Sequence, residues 1–180
     1  MKTGKDRKLP TESAGLYGPR WFPDNRSLAI AVRDANDPGI GIYKTDSQTG
    51  DRTMLLHDDV DFTVNYHDIS PDGKALFYMR VEREEGVRRI MLRDLQTGEE
   101  EELFRGPASE ALAISCSPDG RWIACLNRSD NRVLRAISTS GGEPRELLRY
   151  HEKGNFVPSG PAWTPDSKYV LFSKRDDGAD

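Results

Sequence analysis

The dipeptide Pro-Asp recurs at 23–24, 71–72, 118–119 and 165–166, at spacings of 48, 47 and 47 residues. The residues before it match as well: Pro-Arg-Trp-Phe at 19–22, His-Asp-Ile-Ser at 67–70, Ile-Ser-Cys-Ser at 114–117 and Pro-Ala-Trp-Thr at 161–164. A second marker keeps the same period in its own phase. Gly-centred turns at Gly4, Gly50, Gly98 and Gly142 are each followed by a leucine, at Leu9, Leu55, Leu103 and Leu147. Two markers at one period mean a repeating supersecondary unit of about 47 residues.

That period excludes a heptad coil and suits a four-stranded propeller blade. After each Pro-Asp comes a short apolar run, at residues 28–32, 75–79, 122–126 and 169–172. These runs are continuous, as in strands buried on both faces by stacked blades. Third strands follow at 39–44, 88–94 and 133–138, and fourth strands at 52–56, 101–104 and 145–148. No segment carries a sustained 3.6-residue apolar period with caps, so the expected fold is all-β with essentially no helix. Trp21, Trp163 and the apolar runs at 28–32, 75–79 and 122–126 are the predicted core.

The Pro-Asp signature itself has a structural cause. In Ser70-Pro71-Asp72-Gly73 and Ser117-Pro118-Asp119-Gly120, Ser takes position i, Pro i+1 and Gly i+3 of a type I turn. Pro presets φ near −65° at i+1. Asp24, Asp72, Asp119 and Asp166 are therefore turn residues, not catalytic acids.

The unit is similar to the WD40-like propeller repeats of the TolB family. Pro161-Ala-Trp163-Thr-Pro165-Asp166 and Gly141-Gly-Glu-Pro-Arg-Glu-Leu147 carry the resemblance best, and residues 66–69 depart most, lacking the inner-strand tryptophan. The resemblance implies a β-propeller with an envelope context and a protein- or peptide-binding role. It also brings in prolyl-oligopeptidase- and tricorn-like proteases, which carry similar propellers beside a separate catalytic domain. A sensor propeller attached to a bacterial kinase or regulator is a third role within that resemblance. The repeat specifies a fold and leaves function open.

The repeat phase predicts an outer strand at 5–9, blades at 18–56, 66–104 and 112–148, and a partial blade at 161–174. Fifteen strands result where four full blades need sixteen. The expectation is a segment of a longer propeller of six to eight blades, or self-association through open blade edges.

Composition narrows the partners. Lys and Arg number 26 against 30 Asp and Glu, for a net charge of −4. This excludes a polybasic nucleic-acid arm. No apolar run reaches membrane-spanning length, and residues 1–10 show no signal-peptide pattern. The two cysteines, Cys116 and Cys125, flank one turn. Cys125 is expected opposite a position near 112, on the order of 10 Å or more from Cys116, so both are expected as free thiols.

Enzyme signatures are missing: there is no Gly-x-Ser-x-Gly elbow, phosphate-binding Gly loop or dinucleotide fingerprint. The chain is expected to be non-catalytic, without cofactor or metal. Binding candidates fall on the face that gathers linkers and polar loops. They are Arg33, Asp34, His57, Asp58, Asp59, Asp61, His67, Tyr150 and His151. No histidine pair has metal-motif spacing. The acidic set Asp58, Asp59 and Asp61 could hold a hard cation, but it lacks the regular Asp-x-Asp-x-Asp-Gly order and reads better as a solvated loop. Asn25-Arg-Ser27 and Asn127-Arg-Ser129 match the glycosylation pattern by chance.

Overall fold

A computed structural model describes residues 15–33, 39–58, 66–82, 84–108, 112–127, 131–151 and 160–173. The described residues form three four-stranded antiparallel sheets and a two-stranded one, with no helix among them. The first blade is β1 (Gly15–Trp21), β2 (Ser27–Arg33), β3 (Ile40–Asp46) and β4 (Arg52–Asp58), paired in that order. The second is β5 (His67–Ile69), β6 (Ala75–Glu82), β7 (Val87–Asp94) and β8 (Glu100–Pro107). The third is β9 (Leu112–Cys116), β10 (Trp122–Asn127), β11 (Asn131–Ser138) and β12 (Arg145–His151). β13 (Ala162–Trp163) and β14 (Val170–Leu171) begin a fourth. The expected strand at 5–9 lies outside the described residues.

Each blade is a meander whose turns follow the repeat. In all four Pro-Asp turns the fourth residue donates its N–H to the first residue's carbonyl: Asn25 to Phe22, Gly73 to Ser70, Gly120 to Ser117 and Ser167 to Thr164, at 2.8–3.2 Å. That fourth residue is left-handed in every copy, with φ of 52°, 74°, 73° and 60°. Gly73 and Gly120 adopt it without strain. The aspartate before it closes the turn. Asp72 Oδ1 accepts from Ser70 Oγ (2.6 Å) and Lys74 N, and Asp119 Oδ1 accepts likewise from Ser117 Oγ and Arg121 N. Asp166 makes the corresponding contacts with Thr164 Oγ1 and Lys168 N, and Asp24 Oδ1, whose turn starts at Phe22 without a hydroxyl, accepts from Arg26 N and Ser27 N. The turn reading of all four aspartates therefore holds. In the Gly turns, Asp46 and Asp94 each accept two backbone N–H groups, from Gln48 and Thr49 and from Gln96 and Thr97.

The core lies between blades. Ala29, Ala31, Ile42 and Leu56 of the first blade pack on Ile69, Leu76, Tyr78 and Met91 of the second. Phe77, Met79, Ile90 and Leu103 of the second pack on Ile114, Ile123, Cys125 and Ile137 of the third. The predicted apolar runs of β2, β6 and β10 thus form the core, apart from their half-buried first residues. Trp163 is half-buried. Trp21 is a correction: it is 59% exposed, because no described blade packs on its side of β1.

Neither cysteine is bridged in a disulfide, as expected. Their register needs correction, since Cys125 pairs with Ile114 and Cys116 with Ile123. The hairpin closes between Ser117 and Trp122, with Ser117 N donating to Trp122 O. Gly120 and Arg121 both belong to the loop, which shifts the pairing by two residues.

Candidate binding surfaces

In an antiparallel meander, the ends of second and fourth strands share one edge with the starts of first and third strands. Arg33 ends β2, Asp58 ends β4, His67 begins β5 and His151 ends β12, so the topology brings these candidates to one face. They remain spread over three blades. Arg33 is exposed. His57 pairs with Gly41, and it borders a cleft of about 370 Å³ together with Met54, Arg80, Arg93 and Glu100. Asp58 and Tyr150 hold the same repeat position, opposite Ile40 and Arg132. Asp34, Asp59 and Asp61 lie outside the described residues.

His67 differs from the rest. It is almost fully buried, and its Nε2 lies 3.2 Å from the Ala29 carbonyl of the first blade. Burial lowers its pKa to about 4 from 6.5. A neutral imidazole with Nε2 protonated fits this contact, so the ring fastens two blades together rather than facing solvent.

Next to it, Asp68 is a half-buried carboxylate that sequence reading passed over. Its Oδ2 accepts the Cys116 N–H at 2.8 Å, from a strand 48 residues away, and its Oδ1 lies 3.8 Å from Arg20 Nε. Burial raises its pKa, and the Cys116 and Arg20 contacts oppose that rise. Each partner belongs to a different blade, so the group laces three inner strands. Burial, with Asp68 adding to it, pushes the Cys116 thiol up to about 12. A thiol held protonated is a poor nucleophile. Among the described residues no group of three His, Cys, Asp or Glu side chains could hold a metal ion.

The third blade carries a groove of about 540 Å³. Its walls are Trp122, Leu134 and Leu148 on one side and Trp163, Val170 and Phe172 on the other. Arg145 lies over the Trp122 ring at 4.9 Å, and Phe172 meets Tyr150 with ring centroids 5.9 Å apart. The groove therefore adjoins one of the predicted binding residues. Leu147 and Leu148 are exposed here, whereas Leu103 and Leu56, at the same two repeat positions in other blades, are buried. No sequence signal separates them, because their cover is a neighbouring blade.

No established family profile matches the sequence. An uncharacterized peptidase, YuxL of Bacillus subtilis, is 28% identical over 156 residues, covering 86% of this chain and 21% of that protein. The Tol-Pal system protein TolB of Methylobacillus flagellatus is 36% identical over 86 residues, 47% of this chain and 18% of that protein. Among solved structures, TolB from Acinetobacter baumannii matches with a TM-score of 0.69 at 20% identity, over 92% of this chain and 39% of its own. The β-propeller domain of the Trilobed protease from Pyrococcus furiosus matches with a TM-score of 0.62 at 16% identity, over 94% of this chain and 52% of its own. The fold is a TolB-like β-propeller fold, and the chain spans a minor part of the two curated relatives.

Proposed function

We propose that the chain is a non-catalytic binding scaffold that docks a protein or peptide on its loop-rich face. The carrying observation is the juxtaposition at the third blade: an apolar groove bordered by Tyr150 at the face where Arg33, Asp58 and His151 also end their strands. An apolar groove with a few polar groups at its rim suits an extended peptide that inserts side chains and is oriented from the rim. His67 is left out of the contact set because its ring is spent between blades. Peptides selected from a displayed random library against the immobilised chain supply the probe. Their affinity for Tyr150→Ala and Leu148→Glu should drop at least about tenfold, as for truncated interface anchors. Equal affinity for both variants and the wild type would sink the reading.

A second reading has its own support, the 28% identity to a peptidase across 86% of this chain. The chain would then serve as the substrate-gating propeller of a prolyl-oligopeptidase- or tricorn-like enzyme. A Gly-x-Ser-x-Gly elbow encoded downstream in the parent gene would favour it over the scaffold.

A further inference from the structure

Two arginines of the second blade depart from the repeat. Arg80 is the counterpart of Val32 and Asn127, and Arg93 of Thr45 and Ile137. All four counterparts are buried and uncharged. A covered, neutral side chain therefore satisfies the blade at both positions, and the fold does not call for arginine at either. Arg93 pairs with Leu76 and shares its face of the sheet. Arg80 follows Tyr78 by two residues along β6, so alternation puts it on that face too. Leu76 and Tyr78 pack on the first blade. Both guanidinium groups thus turn toward β4, into the cleft of about 370 Å³ that His57 borders. Met54 and Leu56 line the opposite wall, and Met54 is exposed.

One carboxylate serves both arginines. Glu100 Oε1 accepts from Arg93 Nη1 at 2.8 Å, and its Oε2 accepts from Arg80 Nη2 at 3.3 Å. The buried Tyr78 steadies the pair, its hydroxyl accepting from Arg80 Nη2 at 3.2 Å. The neighbouring acids Glu82, Glu85 and Glu102 are all bonded to Arg89. Among the described residues Arg93 hydrogen-bonds Glu100 alone, through one of its three nitrogens. A guanidinium presents its donors as a fork that fits a carboxylate two at a time, so the Nε–Nη2 edge of Arg93 suits a second carboxylate. Its side chain is 27% exposed, open enough to be reached and covered enough that a charge meeting it is weakly screened.

We propose that this cleft between the first and second blades binds an acidic peptide, seating a carboxylate on Arg93 and an adjacent aliphatic side chain on Met54. Charge selects the class of ligand, since the cleft presents two arginines and a histidine against one glutamate. The apolar wall from β4 selects a peptide over a bare anion, because it gives a neighbouring side chain a surface to cover. The site lies apart from the groove of the third blade and does not rest on it.

The probe is a dye-labelled peptide of alternating glutamate and leucine, titrated with the full chain by fluorescence anisotropy, with the glutamine–leucine peptide as control. The glutamate peptide should bind at least about tenfold more tightly, and Arg93→Ala should abolish that difference, as for a truncated anchor. Glu100→Gln should tighten binding, because a competing carboxylate is removed, whereas a purely structural ion pair would give no gain. Arg121→Ala, which removes an exposed arginine of the third blade, should leave the affinity unchanged. Far-UV circular dichroism confirms that the variants fold. Should Arg93→Ala misfold, Met54→Glu repels the same carboxylate from an exposed position and should weaken binding at least about tenfold. Equal affinity for the two peptides, equal losses in Arg93→Ala and Arg121→Ala, or binding that does not tighten in Glu100→Gln would each overturn the inference. Displacement of the peptide by an equal concentration of inorganic phosphate would overturn it in favour of a free anion.

Discussion

Ile69 and Trp21 hold one position in consecutive blades, and Phe77 and Leu171 hold another in the second and the last. Ile69 and Phe77 are 7% and 1% exposed, whereas Trp21 and Leu171 are each 59% exposed. Residue type does not account for this, since tryptophan and leucine are no less apolar than their counterparts. The second blade is stacked on both faces and the outer two are not. Burial in this array is thus conferred by neighbours, as in other repeat proteins where each unit covers the next.

The sharpest way to break that comparison is to truncate both members of one pair. Phe77→Ala should cost about 3–5 kcal/mol in urea unfolding, and Leu171→Ala less than about 1 kcal/mol. Equal losses would mean that the ends are packed as tightly as the middle.

Acid should act on the contact between the first and second blades next. The folded pKa of His67 is depressed to about 4 from 6.5, so the unfolded chain binds its proton first. This group's contribution is complete above pH 6.5 and falls as pH drops toward 4. Between pH 7 and pH 5 the loss is about 2 kcal/mol by linkage, read from urea midpoints. Asp68, with its raised pKa, acts in the opposite sense, gaining stability as pH falls through its folded pKa. His67→Gln should flatten the slope between pH 5 and 7. An unchanged slope would remove His67 as its cause. Below pH 4 the turn carboxylates, Asp46 and Asp119 among them with pKa lowered to about 2 by the hydrogen bonds they accept, lose their contribution as pH falls toward 2.

Turns give a smaller contrast. Gly73 sits at φ 74°, and a Cβ there would lie 3.1 Å from Pro23 Cγ of the neighbouring turn. Gly73→Ala should cost about 1 kcal/mol or somewhat more. Asn25→Gly, at the matching left-handed position of the first blade, should instead stabilise by less than about 1 kcal/mol. Thermal melts of the two variants decide it, and shifts of the same sign would contradict the turn geometry. The smallest effect belongs to the exposed pair Arg105–Glu85. Arg105→Ala should move stability by no more than about 0.5 kcal/mol, and a larger shift in the urea midpoint would show that the pair is coupled to Arg89, which also bonds Glu85 at 3.0 Å.

Repeat period, strand order and turn chemistry were all legible in the sequence, because each is local. Pro, Asp and Gly at fixed offsets dictate a turn wherever they occur. What could not be read depends on contacts about one period apart. Trp21 looked like core because it shares the repeat position of Trp163, yet only Trp163 has a described blade to pack on. The cysteine register slipped by two because the left-handed Gly120 and the following Arg121 lengthen the loop. The candidate face emerged from topology alone, yet His67 proved to be an inter-blade ring, and Asp68 carried no motif to mark it. The groove beside Tyr150 had no sequence signal, since exposure of Leu147 and Leu148 reflects what lies next to them.

The inner-strand lacing bears on how the chain comes apart. Asp68 to Cys116, Trp163 to Ser115 and Asp119 to Ser167 each span 48 residues, one blade to the next. Coupling of this kind between adjacent units makes the described blades a short lattice, in which opening costs least where a unit has a single described neighbour. Hydrogen exchange should therefore advance inward from both termini of the array, with β6 and β10 the last to yield. A lesion at Asp68 would cut the lattice near its middle and let the two halves melt at separate temperatures.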